Sequence, residues 1–266
     1  MKAKFSPKRV WAILVRHLFS WPRDLESLAE SFWWPSFDLF IWGLVTVYLR
    51  MSENTPSIFI NFFLGAIVLW MFVYRSQQEM SFTFLKEVWD RNILNIFTTP
   101  LTVWEFLSAS MILGIAKLTI SALWMTFLAY ILFQFNIFTL GFWFIPFLLN
   151  LLLVGWSAGF IINGLIVQYG WRVQSFAWTL ILVIQPFSAV FYPVSVMPGW
   201  MQSVAAFIPT SYIFEGMRAV LVEDRFEVNN LLFATGLNLI YISLSALYFA
   251  RSFRKAKETG MIVKFS

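Results

Sequence analysis

Residues 142–167 read FWFIPFLLNLLLVGWSAGFIINGLIV, without one charged side chain. An α-helix crosses the hydrocarbon of a bilayer with ~20 mostly apolar residues, and lipid offers no partner to a free backbone N–H or C=O. The stretch therefore predicts a membrane-spanning helix. Outward from it, five more segments come near the same length and character: 32–49, 58–74, a span within 103–133, 176–191 and 231–250. The composition agrees. Of 266 residues, 59% are hydrophobic and 12% charged, about half the charged share of an ordinary soluble domain, and the mean hydropathy is +0.72. Aromatics reach 20%, with 31 Phe and 14 Trp; part of that excess fits belts at headgroup level.

The expected fold is an all-α integral membrane protein. Residues 1–30 form a cytoplasmic, amphipathic interfacial helix, 31–250 a single domain of six transmembrane helices, and 251–266 a basic cytoplasmic tail. Lys8, Ala12, Arg16 and Ser20 share one helical face before the first span, and Trp11, Leu14, Val15 and Leu18 another, the pattern of a helix lying in the interface. Trp21-Pro22 breaks it, and a second amphipathic turn with Leu25, Leu28, Ala29 and Phe32 follows. With both termini inside, fifteen Lys and Arg fall on the inner side. Arg50, Arg218 and Arg225 fall outside, and Lys117 lies within a span. That bias satisfies the positive-inside rule with both termini cytoplasmic; the expected location is a bacterial cytoplasmic membrane.

Cysteine is absent and His17 is the single histidine, so no thiolate chemistry and no ordinary metal site is expected. The net charge of +5 flanks apolar spans, which favours anionic headgroups over nucleic acid as partner. The N-terminus lacks a signal-peptide pattern. No Gly-x-x-x-x-Gly-Lys-Ser/Thr phosphate loop occurs, and no halves repeat as they do in many secondary transporters.

Four features carry functional expectations. Residues 76–101 read as a cytoplasmic segment, with Phe84, Leu85, Val88 and Trp89 on one helical face and Pro100 stopping it. Its apolar groups have little to bury them, as in a docking element. Residues 192–222 open Tyr-Pro-Val-Ser-Val-Met-Pro-Gly-Trp and hold two helices too short to span, which predicts an outer-side re-entrant hairpin before the last span. Asp38 and Lys117 lie at similar depth within spans, and a buried charge usually has a partner, so an intramembrane ion pair is expected. Gly155-x-x-x-Gly159 allows close helix approach, within the chain or at a dimer seam.

Residues 185–200, Gln-Pro-Phe-Ser-Ala-Val-Phe-Tyr-Pro-Val-Ser-Val-Met-Pro-Gly-Trp, residues 208–218, Ile-Pro-Thr-Ser-Tyr-Ile-Phe-Glu-Gly-Met-Arg, and residues 95–101, Asn-Ile-Phe-Thr-Thr-Pro-Leu, together with the order of elements, resemble the permease subunit of ABC-2 type exporters over nearly the whole chain. The resemblance implies a permease that pairs with a second copy of itself and with two copies of a cytoplasmic ATP-binding subunit. ATP and Mg would be held in that partner, with no cofactor in this chain and no enzyme activity of its own. The cargo would be amphiphilic or lipid-linked: a glycan, a lipo-oligosaccharide or a hydrophobic drug. Coupling to the ATPase falls on Trp89, Asp90, Arg91, Asn92, Ile93, Asn95, Ile96 and Phe97, and a substrate path on Trp42, Tyr48, Phe187, Tyr192 and Tyr212. The alternatives are a membrane-embedded enzyme acting on lipid carriers, for which only Asp38 and Lys117 are polar candidates, and an ion-coupled carrier.

Overall fold

The computed structural model describes residues 5–51, 57–134, 141–223 and 225–260. Three of the fifteen inner-side cations, Lys2, Lys4 and Lys264, and the side chain of Arg50 lie outside the described residues. Among these residues there are helices and turns and no strand. In chain order the helices are α1 (Pro7–Ser20), α2 (Leu25–Leu28), α3 (Trp34–Met51), α4 (Ser57–Trp89), α5 (Ile93–Thr98), α6 (Val103–Phe133), α7 (Phe144–Tyr169), α8 (Gln174–Ile184), α9 (Gly199–Ala205), α10 (Pro209–Glu223) and α11 (Val228–Glu258). A π-turn over Ala29–Trp33 joins α2 to α3. Three helical stretches are long and apolar enough to cross a membrane: Val103–Phe133, Gly141–Phe187 and Val228–Glu258. The second bends at Gly170, whose φ of +68° suits a residue without a side chain.

Helix α7 sits at the centre, packed most extensively against α11 and α4. The glycine pair makes this possible. A Cβ at Gly155 would lie 1.8 Å from Ser76 Oγ and 2.6 Å from the Val73 carbonyl, and one at Gly159 would lie 2.8 Å from Met80 Sδ. The Gly155–Gly159 edge therefore faces α4 of the same chain. Polar side chains bridge the contacts: Asn163 Nδ2 donates to the Met80 carbonyl at 3.1 Å, Gln77 Nε2 to the Ala177 carbonyl at 3.2 Å, and Asn238 Nδ2 to Asn150 Oδ1 at 2.9 Å. Such bonds within a membrane contribute about 0.6 kcal/mol each on average. One apolar core gathers Leu39, Leu69, Phe147, Leu151 and Phe214. A second gathers Met80, Phe84, Phe106, Ile166 and Phe249.

Three boundaries differ from the sequence expectation. Helix α4 runs unbroken to Trp89, so 76–89 is its continuation and not a separate insert; nothing between Tyr74 and Asn92 breaks a helix. Its 33 residues span about 50 Å at 1.5 Å per residue. Helix α11 likewise runs through Arg251 and Lys257 to Glu258, with Phe253 and Ala256 buried, so the basic tail starts inside a packed helix. Helix α8 stops at Ile184, short of the expected 191, because Pro186 sits in a 3-10 turn and cannot continue the ladder.

The stretch after α8 is held by side chains. Arg218 on α10 donates to the Ala189 carbonyl at 3.0 Å and pairs with Glu215 at 2.7 Å. Glu215 Oε1 accepts from the Val194 N–H at 2.6 Å, and Thr210 donates to Ser188 at 2.7 Å. These bonds satisfy irregular backbone that packs on apolar helices, as such backbone requires.

Candidate functional site

The expected coupling residues gather at one end of the bundle, where α4 turns into α5. Arg91 adopts a left-handed φ of +52° at the corner, and α5 is a six-residue helix ending before Pro100. Trp89, Asp90, Arg91 and Asn95 are exposed, and Asn92 and Phe97 are half-buried. Ile93 and Ile96 are not available to a partner: they are buried in the second core, alongside Phe106 and Phe253. Their expected exposure is thus corrected. The lower ends of α6 and α11 extend far enough to cover them, an overhang that span lengths alone do not reveal.

Two carboxylates organise this end, and neither was singled out from the sequence. Glu105 is fully buried at the start of α6, where it forms a capping box with Thr102. It also accepts from the Ser6 N–H at 2.6 Å and from Arg9 Nη2 at 2.7 Å and Nε at 3.0 Å. The Arg9 bonds, with those from Thr102 and Ser6, hold its carboxyl down to about 2. Thr-x-x-Glu after Pro100 was the readable signal; the return of α1 onto it was not. Glu87 on α4, almost fully buried, pairs with Arg16 of α1 at 3.0 Å and accepts from Asn92 Nδ2 at 2.7 Å. One carboxylate thus ties the N-terminal helix to the start of α5. His17 Nε2 lies 3.7 Å from Glu87. Burial, with Arg16, Lys117 and Lys86 nearby, pushes the imidazole down to about 4, so it is neutral at pH 7 and makes no ion pair there.

Lys117 pairs with Glu79 at 2.7 Å and lies over the Trp21 ring, 5.7 Å from its centroid. The expected Asp38–Lys117 pair does not form. Depth along two helices says nothing about which faces meet, and Glu79 belongs to the part of α4 that the sequence assigned to an insert. Asp38 lies instead in a cavity of about 420 Å³ between α3, α4 and α8. Glu30 lines it from the π-turn, Trp34 and Trp42 from α3, Trp70, Arg75 and Gln78 from α4, and Trp178 from α8. Arg75 lies 3.9 Å from Glu30 and donates to Gln78 Oε1 at 3.3 Å, while its Nε is buried without a partner. Burial pushes the Glu30 carboxyl up to about 7 against the pull of Arg75.

Of the expected path residues, only Trp42 lines this cavity, stacked on Phe191 at 5.1 Å. Tyr212 lines a second one of about 330 Å³ with Glu215 and Arg218. Tyr48 is exposed on α3, Phe187 packs edge-on to Trp200, and Tyr192 donates to the Pro186 carbonyl. Among the described residues no cluster of His, Asp and Glu could hold a metal ion.

Comparison with known proteins agrees with the architecture. No curated protein sequence matches the chain. A family model described as "ABC-2 type transporter" matches residues 8–222, a range from α1 through most of α10, and the chain belongs to that family as a transport subunit.

Proposed function

We propose that the chain is the permease of an ATP-driven exporter in a bacterial cytoplasmic membrane. It crosses six times, through α3, α4, α6, α7, α8 and α11, with both termini cytoplasmic and α9–α10 dipping in from the outer side. Two copies work with two copies of a separate ATP-binding subunit, which holds ATP and Mg. The cargo is amphiphilic or lipid-linked, of the glycan, lipo-oligosaccharide or hydrophobic-drug kind.

The observation that carries this reading is the construction around α5. It offers Trp89, Asp90, Arg91 and Asn95 outward, while its buried side and the Glu87 bonds fasten it to α1, α4 and α6. A push on α5 is therefore delivered to α4, a continuous rod that bears Glu87 at its base and lines the cavity with Trp70, Arg75 and Gln78. Packed elements move as units and transmit such displacements.

ATPase stimulation tests it. The permease co-reconstituted with its ATP-binding subunit is expected to raise ATP turnover. Trp89→Ala combined with Asn95→Ala is expected to cut that stimulation about tenfold at unchanged thermal stability. Stimulation equal to wild type in the double variant contradicts the assignment.

A further inference from the structure

The cavity between α3, α4 and α8 holds two carboxylates, Glu30 and Asp38, against one guanidinium, Arg75. Asp38, on the apolar helix α3, is exposed at the open side of the cavity and makes no hydrogen bond or close ion pair with the other described residues; Arg75 acts on it only across the cavity. The one guanidinium in the lining, Arg75, is engaged by Glu30 and Gln78. A carboxylate at membrane depth usually has a counter-charge or faces a ligand path. Around Asp38 stand the indoles of Trp34, Trp42, Trp70 and Trp178, and indole faces attract cations, most strongly where water is scarce. The volume of about 420 Å³ falls in the range of small-molecule sites, which are mostly apolar with few placed polar groups.

We propose that this cavity binds a lipophilic organic cation, its charge against Asp38 and its apolar body against the tryptophans. The buried, unpartnered Arg75 Nε leaves a donor for a neutral oxygen on the same ligand. The ionisable groups in the lining are Glu30, Asp38, Tyr74 and Arg75, and Glu26 of α2, Glu79 of α4 and Lys117 of α6 also act on Glu30. Because Glu30 ionises only near 7, the lining becomes more negative as pH rises through that value, and binding strengthens in the same direction. The inference narrows the cargo of the proposed exporter and rests on that reading only in calling the ligand cargo.

The test uses the full chain in nanodiscs of zwitterionic lipid, without any ATPase, and empty discs as background. Radiolabelled tetraphenylphosphonium is the probe, and tetraphenylborate, an anion of the same shape, is the comparison. The expected result is saturable phosphonium binding that is tighter at pH 8 than at pH 6. It weakens at least tenfold in Asp38→Asn, returns in Asp38→Glu, and is unchanged in the surface variant Glu258→Gln. Trp34→Ala, at the exposed mouth of the cavity, weakens it severalfold and serves if Asp38→Asn does not fold. Wild-type affinity in folded Asp38→Asn, equal affinity for the borate, or no binding above empty discs overturns the proposal. Each of those results removes the site and leaves the permease reading intact, because no coupling is measured.

Discussion

At the scale of single residues, the chain is organised by carboxylates that each serve two elements. Glu105 caps α6 and holds α1 through Arg9 and the Ser6 N–H. Glu105→Gln keeps the cap's shape and removes the charge. It is expected to cost about 1.5–3 kcal/mol, the usual range for a bond to a charged group, and to expose α1 to limited proteolysis. The pH dependence has a definite sign. A carboxylate held below its ordinary 4.5, down to about 2, stabilises the native contact above 4.5 and ceases to do so as pH falls toward 2. Protease cleavage after α1 should therefore rise on acidification through that window, and the Gln variant should cleave readily at every pH. Cleavage of wild type independent of pH there refutes the role of Glu105.

The Lys117–Glu79 pair makes the matching case. Glu79→Gln strands Lys117 and is expected to lower thermal stability, whereas Asp38→Asn is expected to change it little, since exposed Asp38 makes no hydrogen bond or close ion pair with the other described residues. That contrast shows what the sequence could and could not convey at this scale. Asp38 and Lys117 were recognisable as unusual, because charges are rare in apolar spans. Their partners were not, because pairing depends on the rotation of helices about their axes and α4 extended beyond its apparent end.

At the scale of elements, long apolar segments announced α6, α7 and α11 by composition alone, and Gly155-x-x-x-Gly159 announced a close contact. Which helix it met came only from the packing. Gly155→Leu is expected to force α7 off α4 and to cost about 3 kcal/mol or more, the upper range for overpacking. Gly236→Leu on α11, where a Cβ meets nothing within 4 Å, should be near neutral. Thermal unfolding in detergent separates them, and equal shifts would contradict the α4–α7 seam. Residues 76–101 and 176–191 were legible as elements but not in length. Charged residues below Tyr74 looked like the end of a helix when they were only the end of its apolar part, and Pro186 ended α8 inside an apolar run. The same misreading set Ile96 on the wrong side. Ile96→Ala is now expected to cost about 2–3 kcal/mol by emptying a packed site, while Asn95→Arg on the exposed face should leave the fold intact.

At the scale of the whole molecule, the chain belongs to the ABC-2 type transporter family and its described residues are helical, and the proposed mechanism has force entering at α5 from a separate subunit. Native mass spectrometry of the complex, extracted gently from its own membrane, tests that most directly. The account predicts two copies of this chain with two ATP-binding subunits, and loss of the ATP-binding subunits in Asn95→Arg while two permease copies persist. A wild-type assembly without any nucleotide-binding chain, or an Asn95→Arg assembly of full mass and unchanged ATP turnover, would contradict it.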